Sequence, residues 1–304
     1  MRKFKPRYTL RLHENLVAYL FLLPSLLGFA LIIAFPIVAS ALLSMTEWNF
    51  LSGFEGIRFV GFDNFWRLLS NQDEWFTKSL VNTLLFVVVT VPITIGLGLL
   101  LAVVINQYVY VSTLFKVAVF IPYISSVVAS AVVWMVVFQP SYGPVNSLLM
   151  SLGVENPPGW FTDMKWALPT VMAFQIWQAT GYNVIVFLAG LKGIPQDLYE
   201  AATIDGAGEI KKFRHITIPM ISPVTFFLTI MGIIATFKVF DSIKVLTNGG
   251  PGNETTNIAF YIYREAFNFY NMGSANAAAW IMFVIIFLIT LFQLRQQKKW
   301  VVYD

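Results

Sequence analysis

Residues 16–43 read LVAYLFLLPSLLGFALIIAFPIVASALL, 28 positions without a charged side chain. A helix needs roughly 20 apolar residues to cross the hydrocarbon core of a bilayer, and the apolar core of a cleaved signal peptide runs to only about 7–15. Arg2, Lys3, Lys5, Arg7 and Arg11 precede the run, and Ala39-Ser40-Ala41 has the small-residue look of a cleavage site. The length of the run decides for an uncleaved first span.

Outward from this stretch the same texture continues. Of 304 residues 57% are hydrophobic and 12% charged, about half the charged share of a soluble domain. Ala278 to Leu294 is a second long, largely apolar run without a charged side chain. The fold class expected is all-α: a polytopic membrane protein with six helices, at about 16–44, 80–105, 114–138, 167–191, 220–240 and 275–294. Residues 16–294 then form one transmembrane domain, flanked by short terminal segments at 1–15 and 295–304.

An even number of spans puts both termini on one side. Lys and Arg gather near both ends, at Lys116, and at Lys192, Lys211, Lys212 and Arg214, so the positive-inside rule makes that side cytoplasmic. The opposite side receives Trp48, Trp66, Trp75, Trp160 and Trp166, aromatic rings suited to a membrane boundary. Pro24, Pro36, Pro92 and Pro122, with Gly96 and Gly98, predict kinked and closely packed spans.

Several chemistries are excluded. The net charge of +4 is not gathered into a basic stripe, so no nucleic-acid partner is expected. With no cysteine there is no disulfide framework or thiolate site. His13 and His215 stand apart from any metal-ligand or nucleophile-base pattern. No G-x-x-x-x-G-K-[ST] phosphate loop occurs, so ATP hydrolysis, where needed, belongs to another chain. Lys238 and Asp241, three apart at the end of span five, are expected to pair on one helical face.

Between spans four and five the chain reads GIPQDLYEAATIDGAGEIKKFRHITIP, residues 193–219. The pattern predicts two short helices about a glycine hinge. Pro195 suits a first turn, Gly206 can supply the positive φ that ends the first helix, and Asp205 can cap the second. Leu198, Ala201 and Ala202 make a small apolar face beside Tyr199 and Glu200. That face suits either a groove on another protein or the membrane surface.

Here the residues resemble a known family. Glu200-Ala201-Ala202, Asp205-Gly206-Ala207 and Ile216-Thr217-Ile218-Pro219 are similar to the EAA loop of permease subunits of binding-protein-dependent ABC importers. Phe240 to Pro251 and Tyr19 to Pro24 resemble segments of its carbohydrate branch, the maltose permease-like subunits, and the likeness is densest over 75–294. The resemblance implies a type I ABC importer permease fold in a prokaryotic cytoplasmic (inner) membrane. It implies a second, unlike permease subunit, two ATPase subunits that hold ATP and Mg, and an extracytoplasmic solute-binding protein that delivers a sugar. In that family the loop is a coupling helix, so Glu200, Ala201, Ala202, Asp205 and Gly206 would dock the ATPase.

Solute contacts are expected at midplane depth, from polar and aromatic groups on spans four and five. Gln175, Gln178 and Tyr182 share one helical face, and Thr236 and Phe237 are the candidates on span five. Bonding between helices is the competing role for these amides. A secondary transporter or a channel, working without an ATPase, is the competing function.

Overall fold

A computed structural model of the chain describes residues 7–107 and 112–302. Arg2, Lys3 and Lys5 lie outside the described residues, as do the side chains of Arg7, Arg11 and His13 and the last two residues of the tail.

The first span is α1 (Arg7–Phe29), a π-turn (Ala30–Ala34) and α2 (Phe35–Ser44). Pro36 has no N–H to close on the carbonyl four residues back, and one position earlier the ladder slips: Phe35 N–H donates to the Ala30 carbonyl instead. The same device precedes Pro219, where Ile218 N–H donates to Phe213 O at the end of the π-turn Phe213–Thr217. Residues Val17–Ser44 are long and apolar enough to cross a membrane, as are Glu74–Gln107, Ala167–Lys192 and Met272–Trp300.

After α2 come a small antiparallel pair, β1 (Thr46–Glu47) with β2 (Arg58–Phe59), and the short α3 (Asp63–Leu69). The second span, α4 (Glu74–Gln107), starts earlier than its hydropathy suggests because Asp73 caps it, its carboxylate accepting from Phe76 N–H at 2.9 Å. The third span is broken. α5 (Ser112–Ile124) and α6 (Val127–Val137) meet at 98°. Between them Ser126 takes an extended ψ of 126° and caps α6, so the expected single helix over 114–138 is two half-helices.

α7 (Pro144–Ser151) and α8 (Ala167–Lys192) follow, then α9 (Gln196–Ile204), α10 (Glu209–Lys212) and α11 (Ile218–Met220). The stretch Glu209–Met220 bends by 62° into α12 (Ser222–Phe237), so the fifth span is also a bent pair. α13 (Asp241–Leu246) and α14 (Ile258–Tyr263) precede the sixth span, α15 (Met272–Trp300). Lys238 and Asp241 make no ion pair: the bonds found among the described residues are Arg58–Glu47, Lys78–Glu254 and Lys212–Glu209. Lys238 caps the end of α12 and Asp241 opens α13, so the same-face rule for one continuous helix does not apply to them.

α4 and α8 pack most extensively, with α5 against α8, α12 against α4, and α15 against α2. Two glycines permit this. A Cβ on Gly98 would lie 2.7 Å from Asn183 Cβ, and one on Gly181 would lie 2.3 Å from the Val119 carbonyl oxygen. One apolar cluster, including Phe86, Phe174 and Ile243, packs toward the α13 end of the bundle; another, including Ala102, Phe187 and Ile221, packs toward the α9 end.

Beyond α13 a turn through Gly249 (φ 84°) leads to the cis peptide Gly250–Pro251. Asn82 of α4 donates to the carbonyls of Asn253, Glu254 and Thr256, and Lys78 pairs with Glu254 at 2.7 Å. This segment is fastened to the second span.

Candidate functional site: an exposed loop helix and a cavity within the bundle

Two places in the fold gather the residues singled out by sequence. The first is the loop 193–219. Pro195 caps α9 rather than entering its first turn, and Asp197 stands in that turn, where a carboxylate complements the helix dipole. The helix closes in a Schellman motif. Gly206 at φ 74° sends its N–H to Thr203 O at 3.0 Å, and Ala207 N–H reaches Ala202 O at 2.9 Å.

Asp205 does not cap the next helix. Its own N–H bonds back to Ala201 O, which makes it the C-cap of α9, and α10 starts at Glu209 behind Gly208. The four-residue separation puts the free N–H groups of α10 beyond a short side chain that belongs to the previous turn.

α9 has two sides. Tyr199 turns inward, its hydroxyl 2.9 Å from Thr217 Oγ1, and packs beside Ile216 and Met220 on the cluster of α4 and α8 residues. Leu198, Glu200 and Ala201 face outward, with Ala202 half-buried. Gln196 Nε2 donates to Glu200 Oε1 at 2.9 Å. Ile204 and Ile210 are 87% and 84% exposed. Sequence reasoning did not single out these two, because apolar residues recur along the loop and their exposure shows only in the fold.

The second place is a cavity of about 410 Å³ between α4, α5, α6, α8 and α12. Gln175, Gln178 and Tyr182 line it from one face of α8, and Thr236 lines it from α12. Phe237 does not. It is fully buried in a separate cluster with Leu68, Phe76, Val91 and Tyr261. One residue further along a helix is about 100° of rotation, and that step carries Phe237 from the cavity wall into the packing against α4. The structure adds Thr90 and Thr94 from α4, Tyr123 from α5 and Asn183 from α8. Tyr123 stacks on Tyr182 with ring centres 5.1 Å apart and planes at 26°.

The titratable groups that the fold perturbs lie outside both places, around α14. Burial and a 2.6 Å bond to Asp73 push the Tyr261 phenol up. Burial also raises Glu265 and lowers Arg264, whose guanidinium lies 3.7 Å over the Trp75 ring.

A helical bundle with two broken spans, an exposed capped helix at one end and a polar cavity inside is the setting in which the sequence comparisons fall. Residues 68–302 match the family described as binding-protein-dependent transport system inner membrane component. The chain belongs to this family. The lactose transport system permease protein LacF of Rhizobium radiobacter is 35% identical over 294 residues, covering 95% of this chain and 96% of its own. A solved bacterial ABC transporter involved in import of the acidic polysaccharide alginate aligns at TM-score 0.82 and 27% identity, over 96% of this chain and 99% of the other. The same kind of transporter, in complex with its alginate pentasaccharide-bound periplasmic protein, aligns at 0.81 and 27%, over 95% and 96%. As an inner membrane component of a binding-protein-dependent system, this chain has its spans in the bilayer and the type I importer permease fold.

Proposed function

We propose that this chain is the membrane-spanning permease subunit of an ATP-driven importer, forming half of the translocation pathway for a sugar or sugar-like solute. The observation that carries the reading is α9. It is a short helix with an exposed, small apolar face, closed by a glycine in the left-handed region and anchored to the bundle by Tyr199. Such a helix suits a cleft on a protein partner, because its small side chains allow close approach and its fixed turn reduces the ordering cost of docking.

In this proposal both termini and the 193–219 loop face the cytoplasm, and the α13 end faces outward, toward an extracytoplasmic solute-binding protein. Two ATPase subunits supply ATP and Mg²⁺ chemistry, and a second, unlike permease subunit completes the pathway. Glu200 bonds the ATPase, Ala201 and Ala202 permit the fit, and Gly206 fixes the turn. Asp205 acts only through that turn. Closure of the ATPase pair draws the coupling helices together and turns the cavity outward.

Affinity purification of the tagged chain from membranes tests this. It is expected to bring down a second permease and two copies of a P-loop protein, and a cysteine at position 200 should cross-link to that protein. Solute flux through the isolated chain, with no ATPase present, would overturn the proposal.

A further inference from the structure

Ser222 stands at the corner where the stretch Glu209–Met220 bends by 62° into α12, and it is only 4% exposed. In an unbroken helix the Pro219 carbonyl would accept from the N–H of residue 223, but residue 223 is proline and has none. Ser222 Oγ fills that place, donating to Pro219 O at 2.6 Å. The single hydroxyl hydrogen is then committed, and the oxygen keeps acceptor capacity. The far end of span six uses that capacity: Val302 N–H donates to Ser222 Oγ at 3.0 Å.

A second contact runs beside the first. The Trp300 ring meets Phe226, one turn into α12, edge-on with centres 6.0 Å apart and planes at 71°. The corner is also pressed against α8, where a Cβ on Gly190 would lie 2.6 Å from Ile221 Cδ1 and 2.7 Å from Val224 Cγ2. On the loop side, Ile221 N–H bonds Thr217 O at 3.0 Å, and Thr217 holds Tyr199 of α9.

We infer that Ser222 is a positioning residue and that residues 300–302, at the end of span six, are its strap, fixing the angle at which the 193–219 loop enters span five. This rests on the importer reading above and deepens it. Docking at α9 serves transport only where a displacement of the loop reaches α12. Pro219 and Pro223 each take a backbone donor out of the corner between them. The serine hydroxyl and the strap supply donors in their place, one from a side chain and one from another span. The corner therefore stays rigid through the cycle, and the loop and α12 move as one unit.

The test uses the complete complex in proteoliposomes, with partner subunits that carry serine in place of any cysteine. This chain has no cysteine of its own, so nitroxide labels at Lys211→Cys and Lys238→Cys report one distance across the corner. Both lysines are exposed. Electron spin resonance should give one narrow distance distribution, the same without nucleotide and with ATP trapped by vanadate. A stop after Trp300 removes the Val302 N–H and leaves the hydroxyl bond within the corner. It should raise the share outside the native peak about fivefold, the loss of one hydrogen bond. Ser222→Ala should broaden the distribution further, Ser222→Thr should narrow it again, and the stop should add nothing to Ser222→Ala. ATP hydrolysis should persist in each variant.

A distance that shifts in the native complex on trapping would overturn the inference. So would a native distribution in the stop variant, which carries the test alone if Ser222→Ala does not assemble. Failure of the importer reading shows separately, as the absence of co-purifying P-loop subunits.

Discussion

Replacing Gly206 isolates backbone conformation from bulk in the 193–219 loop, to which the proposal gives the coupling role. The residue sits at φ 74°, and a Cβ built there meets no atom of the described residues within 4 Å. Within the subunit, then, a side chain at 206 carries a conformational cost only. An L-residue in the left-handed region costs about 1–2 kcal/mol, a β-branched one more, and asparagine less. Valine at about 2 kcal/mol shifts the balance between the closed turn and its open alternatives by roughly thirtyfold.

What opens is specific. Gly206 N–H to Thr203 O and Ala207 N–H to Ala202 O are the two bonds that finish α9 next to Ala201 and Ala202. Transport per ATP hydrolysed, measured in proteoliposomes with the binding protein, should therefore fall in the order Gly, Asn, Ala, Val, while the complex still assembles. Wild-type coupling in Gly206→Val would refute the reasoning. So would Gly206→Asn being as damaging as Gly206→Val, because the defect would then follow side-chain volume against the partner and not φ.

Two further perturbations test neighbouring parts of the argument. Tyr199→Phe keeps the ring in its packing and deletes only the 2.9 Å contact with Thr217, a loss of about 1 kcal/mol; uptake should drop while ATP hydrolysis persists. Thr217→Val should do the same and add nothing to Tyr199→Phe, so an additive double variant would show that the two act separately.

At the other end of the bundle, burial raises the Glu265 carboxyl above its ordinary range, reinforced by Asp73 and opposed by a bond from Asn271 and by Arg67 and Arg264. An acid whose folded pKa is raised contributes stability below its unfolded pKa and loses it as pH rises through the folded value. Thermal unfolding of the detergent-solubilised protein should thus show Glu265→Gln gaining on the native chain as pH rises from 4 to 8. An equal offset at all pH values would contradict this.

The spans were legible because apolar length is a property of the chain alone, and Gly206 was legible because only a turn past a helix end asks for glycine in that pattern. The two breaks were not. Pro122 lies inside α5, three residues before the break, and Ser126 makes the corner by an extended backbone that hydropathy does not register. Asp205 and Phe237 failed for a related reason, each displaced by a fraction of a turn from the position its neighbours suggested.

The cavity raises a different difficulty. A polar residue inside a span has the same appearance in sequence whether it bonds a neighbouring helix, its own backbone or a solute. The hydrogen-bond arrangement separates these cases. Thr83 accepts from Ile258 N–H across helices and is structural. Thr90 and Thr94 return their hydrogens to their own helix and offer oxygens to the cavity. Gln178 leaves an amide nitrogen without an acceptor among the described residues. Residue type alone therefore does not separate these roles, and the bonds that each side chain makes within the fold do.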